Sequence, residues 1–163
     1  MRLATTSAIV GALITASVAV GALAAPSGIA AKIPFTAKYS GKAVTVVNDD
    51  VVDISATGAG TATLIGAGKI TGKGTGSAAE RPCIPFSGTG VMTGARGTVA
   101  FRVQPLSKGC GDEAGEQFSI VGRATVTKAT GKLAKARGSL KLTGFYDRAS
   151  GAYSIKFTGT LTR

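Results

Sequence analysis

The chain has no histidine and no tryptophan, two cysteines, and 8 acidic residues against 19 basic ones in 163 positions. Without histidine there is no Ser-His-Asp or Cys-His catalysis and no imidazole metal site. Two cysteines are too few for an all-cysteine zinc centre. The lack of tryptophan makes carbohydrate stacking a weaker reading, although three tyrosines remain. The basic residues are scattered singly rather than clustered, which argues against a nucleic-acid partner. Their excess suggests affinity for polyanions in general. Carboxylates are scarce, so a facing pair of the glycosidase kind has few candidates.

Long apolar runs are also scarce. The one present extends from Ala8 to Ala25 behind Met1-Arg2-Leu3, and Ala22-Leu23-Ala24 supplies small residues for a processing enzyme. This predicts a signal peptide over residues 1–25, cleaved near Ala24 or Ala25. The competing reading is a retained anchor, since the run has roughly the 18–20 residues that span a bilayer; its Ala, Gly, Thr and Ser content favours cleavage. Residues 26–163 then form a single domain of ordinary size, secreted or held at the cell envelope, with no stable membrane span. In an oxidising compartment Cys83 and Cys110 are expected to form one disulfide. Their spacing is far from Cys-x-x-Cys, which speaks against a redox-active pair.

What the chain has in abundance is glycine, 24 residues of it, together with Thr, Val and Ile at alternating positions. Phe118, Ile120, Gly122, Ala124 and Val126 share one face of a predicted strand. Leu140, Leu142 and Gly144 share a face of the next, and Tyr153, Ile155, Phe157, Gly159 and Leu161 that of the last. Asp147-Arg148-Ala149-Ser150-Gly151 reads as the turn of a hairpin between these last two. Upstream, strands are expected over residues 33–40, 43–47, 51–57 and 61–65, with Asn48-Asp49-Asp50 as a turn. A further strand runs through Val99, Phe101 and Val103. Residues 80–87, with two prolines, read as a loop or edge strand, and residues 105–116 as a polar loop that the disulfide ties back to Pro82–Pro85. The fold class is all-β, an antiparallel closed barrel of eight or nine strands, with a sandwich as runner-up. Glycines on the inner faces favour the barrel, because they let strands coil sharply.

One internal repeat stands out. Gly90-Val91-Met92-Thr93-Gly94-Ala95-Arg96-Gly97-Thr98-Val99 matches Gly131-Lys132-Leu133-Ala134-Lys135-Ala136-Arg137-Gly138-Ser139-Leu140, each after a Thr. The pattern predicts two equivalent corners, with glycine permitting positive φ and Met92 or Leu133 packed beneath as a plug. The stretch Ala129 to Gly138 resembles the Gly-Thr-Gly-x-Phe-x-x-Ala-Arg-Gly segment of dirigent proteins, with Leu133 in place of Phe and Ala129 in place of Gly. These proteins belong with the allene oxide cyclases to a superfamily of eight-stranded antiparallel barrels. The chain is also similar to small secreted actinobacterial proteins. The resemblance implies a barrel and cofactor-free chemistry in an apolar cavity; being structural, the motif transfers no active-site residue.

Candidate sites are few. Arg96 and Arg137 recur in the repeat and are read either as fasteners of backbone carbonyls or as anion clamps at a barrel rim. Tyr153, with Tyr39 and Tyr146, is a candidate for lining a cavity, with core packing as its alternative role. Arg102 and Arg123 face outward and suggest a basic surface stripe. Asp49, Asp50 and Asp53 lack the full ligand spacing of a calcium loop and read as a polar turn; Asp112, Glu113 and Glu116 read as a solvated loop. The glycine-rich run from Gly66 to Gly76 lacks the Lys-Ser/Thr ending of a phosphate loop. No catalytic residue, metal or cofactor is assigned. The functional expectation is a non-catalytic binding or envelope-associated module for a small apolar ligand or an anionic cell-envelope polymer. A cofactor-free cyclase, isomerase or dirigent-like protein is the enzyme alternative, and a structural secreted protein without ligand the third.

Overall fold

The structure, a computed structural model, describes residues 31–80 and 82–163, with the side chain of Glu80 outside the description. The predicted signal segment, residues 1–25, lies outside the described residues. Eight strands run in simple up-and-down order: β1 (Lys32–Asn48), β2 (Val51–Ala62), β3 (Gly66–Ser77), β4 (Cys83–Gly94), β5 (Gly97–Gly111), β6 (Gln117–Ala129), β7 (Gly138–Asp147) and β8 (Ala152–Thr162). Every neighbouring pair is antiparallel, and β8 returns to β1 to close the barrel. Closure gives Ala37–Lys42 of β1 and Tyr153–Gly159 of β8 partners on both sides.

The alternation read from the sequence sets which side faces in. Phe35, Ala37 and Tyr39 on β1, Leu140 and Leu142 on β7, and Phe157 and Leu161 on β8 are buried. The intervening Lys38, Lys141 and Lys156 are exposed. The wall is therefore apolar inside and polar outside, the reverse of a barrel that faces lipid. Among the described residues no helix is long and apolar enough to cross a membrane.

Several elements differ from the sequence reading. The strands expected at 33–40 and 43–47 are one strand, because Gly41 continues the ladder and pairs with both Tyr153 and Gly58. The strand expected at 61–65 is the end of β2 followed by a turn, in which Leu64 has φ of 66°. Residues 66–77 form β3, and residues 83–87, expected as loop or edge, belong to β4, whose first residues Cys83–Pro85 pair with β5 alone and so keep an edge. The polar loop expected at 105–116 is mostly strand. β5 runs through Pro105 by a bulge, with the pairing to β6 shifting between Val103 and Lys108. In that bulge Ser107 turns inward and is fully buried. Its hydroxyl accepts from Arg123 N–H at 3.2 Å, replacing a ladder bond, and fills the space beside Gly122.

Connections alternate between two ends. The turns at 63–65 and 95–96 and the segment 130–137 lie at one end, with the start of β1 and the finish of β8. The turns at 49–50, 78–82, 112–116 and 148–151 lie at the other. The first end is closed by Ile65, Met92, Leu133 and Ala136, all fully buried. Both repeat copies sit here and supply the expected plugs. They are not equivalent corners, however. Gly90–Gly94 stays in β4, paired on both sides, so the first copy turns only at Ala95-Arg96. The second leaves the ladder in a 3-10 helix at Gly131–Leu133. The copies pack on each other instead: Gly131 (φ 61°) lies against the Arg96 carbonyl, and Thr130 N–H donates to Thr98 O at 3.0 Å.

At the far end, the β7–β8 hairpin has the turn expected from the sequence. Asp147 Oδ1 accepts from the Ser150 N–H and hydroxyl, both at 2.7 Å, and Gly151 has φ of 69°. The Ser150 N–H is the main cause that holds the Asp147 carboxyl below its ordinary value, followed by the Ser150 hydroxyl, with Lys42 adding to the effect. A lowered carboxyl contributes stability that is present above the unfolded value and is lost as pH falls through the folded one. Asp147→Ala is therefore expected to remove part of the stability decline seen below about pH 4. Thermal midpoints of the two proteins measured against pH should converge at the acid end; parallel curves would refute this role.

Candidate functional site

The half of the lumen toward the second end is not filled. It holds an apolar cavity of about 590 Å³, within the range of small-molecule sites. Eight-stranded barrels are just wide enough to be filled by side chains or to hold one small ligand, so the inner-face residues decide which. Here they fall into two unequal walls. On β3 the inward positions beside the cavity are Gly72, Gly74 and, nearer the floor, Ile70; on β4 Gly88 joins them. Across the lumen stand Phe101, Phe118, Tyr146, Tyr153, Ile155 and Phe157. Bare backbone opposite bulky rings leaves the space.

The floor is aromatic. Phe101 on β5 and Phe157 on β8 meet with ring centroids 5.0 Å apart. Phe118 and Tyr146 stand nearer the opening, their centroids 6.2 Å apart. The Tyr146 hydroxyl lies 3.2 Å from Thr45 Oγ1, joining β7 to the β1–β2 hairpin. Beyond Lys42–Ala152 the first strand has no partner in β8, so this hairpin projects past the barrel wall. It turns Thr45, Val47, Val52 and Ile54 toward the cavity. Charged groups in the lining, Asp112, Glu113 and Arg148, belong to the opening and not to the floor, while Lys73, between the inward Gly72 and Gly74, faces the outer wall.

Tyr153 is the candidate residue that the fold brings to this cavity. Its ring crosses Gly41 and its hydroxyl reaches the surface of Gly58. Only 6% of the residue is exposed, and the hydroxyl has no hydrogen-bond partner among the described residues. Burial pushes its pKa up, so near neutrality it is a phenol that donates a hydrogen bond and not a base. Tyr39, one level deeper and 1% exposed, has an equally unpartnered hydroxyl but does not line the cavity. An unmet buried hydroxyl costs about 1 kcal/mol or more. Tyr39→Phe and Tyr153→Phe are both expected to raise the thermal midpoint of the ligand-free protein by about 3 °C. The Tyr153 ring lines the cavity but its hydroxyl is sealed against Gly58, so neither variant is expected to change ligand binding by more than about threefold, which calorimetry and ligand titration of both check.

Arg96 and Arg137 lie elsewhere. Both are exposed at the plugged end, away from the cavity. The Arg137 guanidinium donates to the Ala136 carbonyl at 3.4 Å, and its backbone forms an antiparallel bridge with Thr162. Arg96 lies beside Gly66, and its carbonyl receives Lys132 N–H at 3.2 Å. The acidic groups serve as turn fasteners: Asp53 accepts from Asn48 at 3.3 Å, and Asp112 from the Glu116 N–H at 2.9 Å. The disulfide joins Cys83 and Cys110 as direct register partners of β4 and β5, with Cα atoms 3.9 Å apart. It is thus a strand-to-strand link and not the loop tether expected. Ile84 and Gly109, one step along, line the cavity.

No protein-family model matches the chain, and no curated protein matches it.

Proposed function

We propose that this is a secreted, non-catalytic binding protein that holds one small, uncharged, mostly apolar molecule in the barrel. The observation that carries this is the 590 Å³ cavity between a glycine wall and an aromatic wall. Its lining keeps charge at the opening, so a ligand loses water against apolar surface, at about 25 cal/mol per Å² buried. The disulfide and the lysine- and threonine-bearing outer wall suit an oxidising, aqueous compartment.

The dirigent and allene oxide cyclase resemblance supports a cyclase as the second reading, since it implies an eight-stranded barrel with an apolar cavity. The lining favours binding over that chemistry, because its deep polar groups are hydroxyls. Proton transfer at neutral pH calls for a group titrating near the working pH, and a buried phenol is far from it.

The test is native mass spectrometry of the protein taken from the medium of its own producer, followed by titration of the stripped protein with a neutral apolar fluorophore such as phenylnaphthylamine. One adduct per chain, and a fluorophore bound in equal stoichiometry, are expected. A bare polypeptide mass together with no fluorescence gain would remove the proposal. Turnover of the co-purified molecule would shift the reading to the cyclase.

A further inference from the structure

All 8 acidic residues of the chain stand in, or within three residues of, the first, third, fifth and seventh connections: Asp49, Asp50 and Asp53; Glu80; Asp112, Glu113 and Glu116; Asp147. In an up-and-down barrel these four connections share one end, the end with the cavity opening. The plugged half of the barrel carries cations and no acid.

On the outer wall of that half the cations are in register. Lys38 on β1 faces Lys156 on β8, and Arg123 on β6 faces Lys141 on β7, each as direct cross-strand partners. Lys141 is one diagonal step from Lys156, through Thr143 and Thr158. Arg102 on β5 is one diagonal step from Arg123, through Thr125. Five exposed cations thus lie on five consecutive strands, with strands about 4.8 Å apart. Like charges directly opposite each other destabilise a sheet, yet two such pairs stand here with no acid between them. A local rule broken without compensation inside the fold marks a place where the compensation comes from outside.

We propose that this row is a binding track for a linear polyanion with closely spaced phosphate groups, laid across the wall from β1 to β5 through the barrel seam. A flexible chain follows a curved row of charges, whereas a flat bilayer meets only a part of it. The row has threonines between its cations and a single exposed ring beside it, Phe145, one diagonal step from Lys156, so it lacks the succession of rings on which single-stranded nucleic acid stacks its bases. The track is separate from the cavity, and its occupation leaves the opening free.

The test uses the purified protein with long-chain inorganic polyphosphate as the probe. About five contacts, at the slope of about −0.7 per contact seen with single-stranded polyanions, give roughly a hundredfold weaker binding when salt rises fourfold. A variant with Lys38→Gln, Arg123→Gln, Lys141→Gln and Lys156→Gln is expected to bind more than tenfold more weakly. A variant of equal charge change at other exposed sites, with Lys32→Gln, Lys128→Gln, Lys132→Gln and Lys135→Gln, is expected to lose less than threefold. The first variant should also melt higher than the parent at low salt without the probe, since its repulsive pairs are gone. Lysine acetylation read by mass spectrometry should show Lys38, Lys141 and Lys156 protected by the probe. Equal losses in the two variants would reduce the effect to net charge and overturn the track. Tighter binding to phosphatidylglycerol vesicles or to oligothymidylate than to polyphosphate would overturn it in favour of a membrane or a nucleic acid.

Discussion

Gly72→Leu is expected to abolish binding of an apolar fluorophore, by at least tenfold, while the barrel melts no lower than the parent. A Cβ added at position 72 would meet only the Thr89 carbonyl oxygen at 3.4 Å and the Gly90 Cα at 4.0 Å, which is ordinary contact. The backbone there needs no glycine, and the position lines the cavity. Glycine in a strand costs roughly 0.5–1 kcal/mol against alanine, largely through the freedom of the unfolded chain. Gly72→Ala should therefore stabilise by about that amount, and Gly72→Leu should keep the gain while its branched side chain occupies the ligand's space. Four residues earlier the same change has the opposite sign. At Gly68 a Cβ would overlap the Thr93 carbonyl and lie 2.8 Å from the Gly94 Cα. These are backbone atoms that cannot swing aside, so Gly68→Ala is expected to cost about 1–3 kcal/mol, as overpacking does. Calorimetry of the two alanine variants, with fluorophore titration of Gly72→Leu, checks both. If Gly72→Ala destabilised or Gly72→Leu still bound, the glycine wall would not be what makes the cavity.

That wall explains what the sequence left hidden. Where the inner face is made of large residues, as at Tyr153, Ile155, Phe157 and Leu161, alternation of apolar and polar names the strand, its face and its hairpin partner. In β3 the same alternation is present, but the inward set from Gly66 to Gly76 is glycine at every position except Ile70. Glycine has no hydrophobicity to report, so the segment shows no apolar face although it is paired along its whole length with β2. Its repeated glycine spacing was the available sign of a cavity, whereas the coiling argument rested on Gly122, Gly144 and Gly159 in the later strands. In β5 the failure has another cause. Pro105 and the buried Ser107 have the chemistry of a loop, and only the bulge, with Arg123 N–H on the Ser107 hydroxyl, lets them stay in the wall. Tyr153 was found because it keeps period two with large neighbours. Arg96 and Arg137 drew notice through the repeat, which builds the plugged end and lies away from the cavity. The charge polarity was implicit in the chain order, since in an up-and-down barrel alternate turns share an end, but it acquires meaning only once the strand count is fixed at eight.

Replacing the disulfide, as Cys83→Ser with Cys110→Ser, is expected to lower the unfolding free energy by about 3–4 kcal/mol. The link closes a loop of roughly 28 residues, and the chain-entropy relation gives that figure for the freedom it removes from the unfolded chain. For a domain of this size the thermal midpoint should drop by about 10 °C. The effect is also local. Between β4 and β5 the pairing shifts between Phe86 and Gly88, so Cys83–Phe86 with Ser107–Cys110 is a short ladder set apart from the main one. The disulfide fixes the register of that short ladder, which carries Ile84, Phe86 and Gly109 into the cavity lining. Amide exchange should therefore rise most at residues 83–86 and 107–111, including Gly111, whose N–H donates to the Pro82 carbonyl at 2.9 Å. Exchange in β7 and β8 should change only as much as global stability does. A midpoint shift of about 2 °C or less, or exchange spread evenly over the barrel, would mean that backbone pairing alone holds this part of the wall. The opening of the cavity would then owe nothing to the redox state of its surroundings.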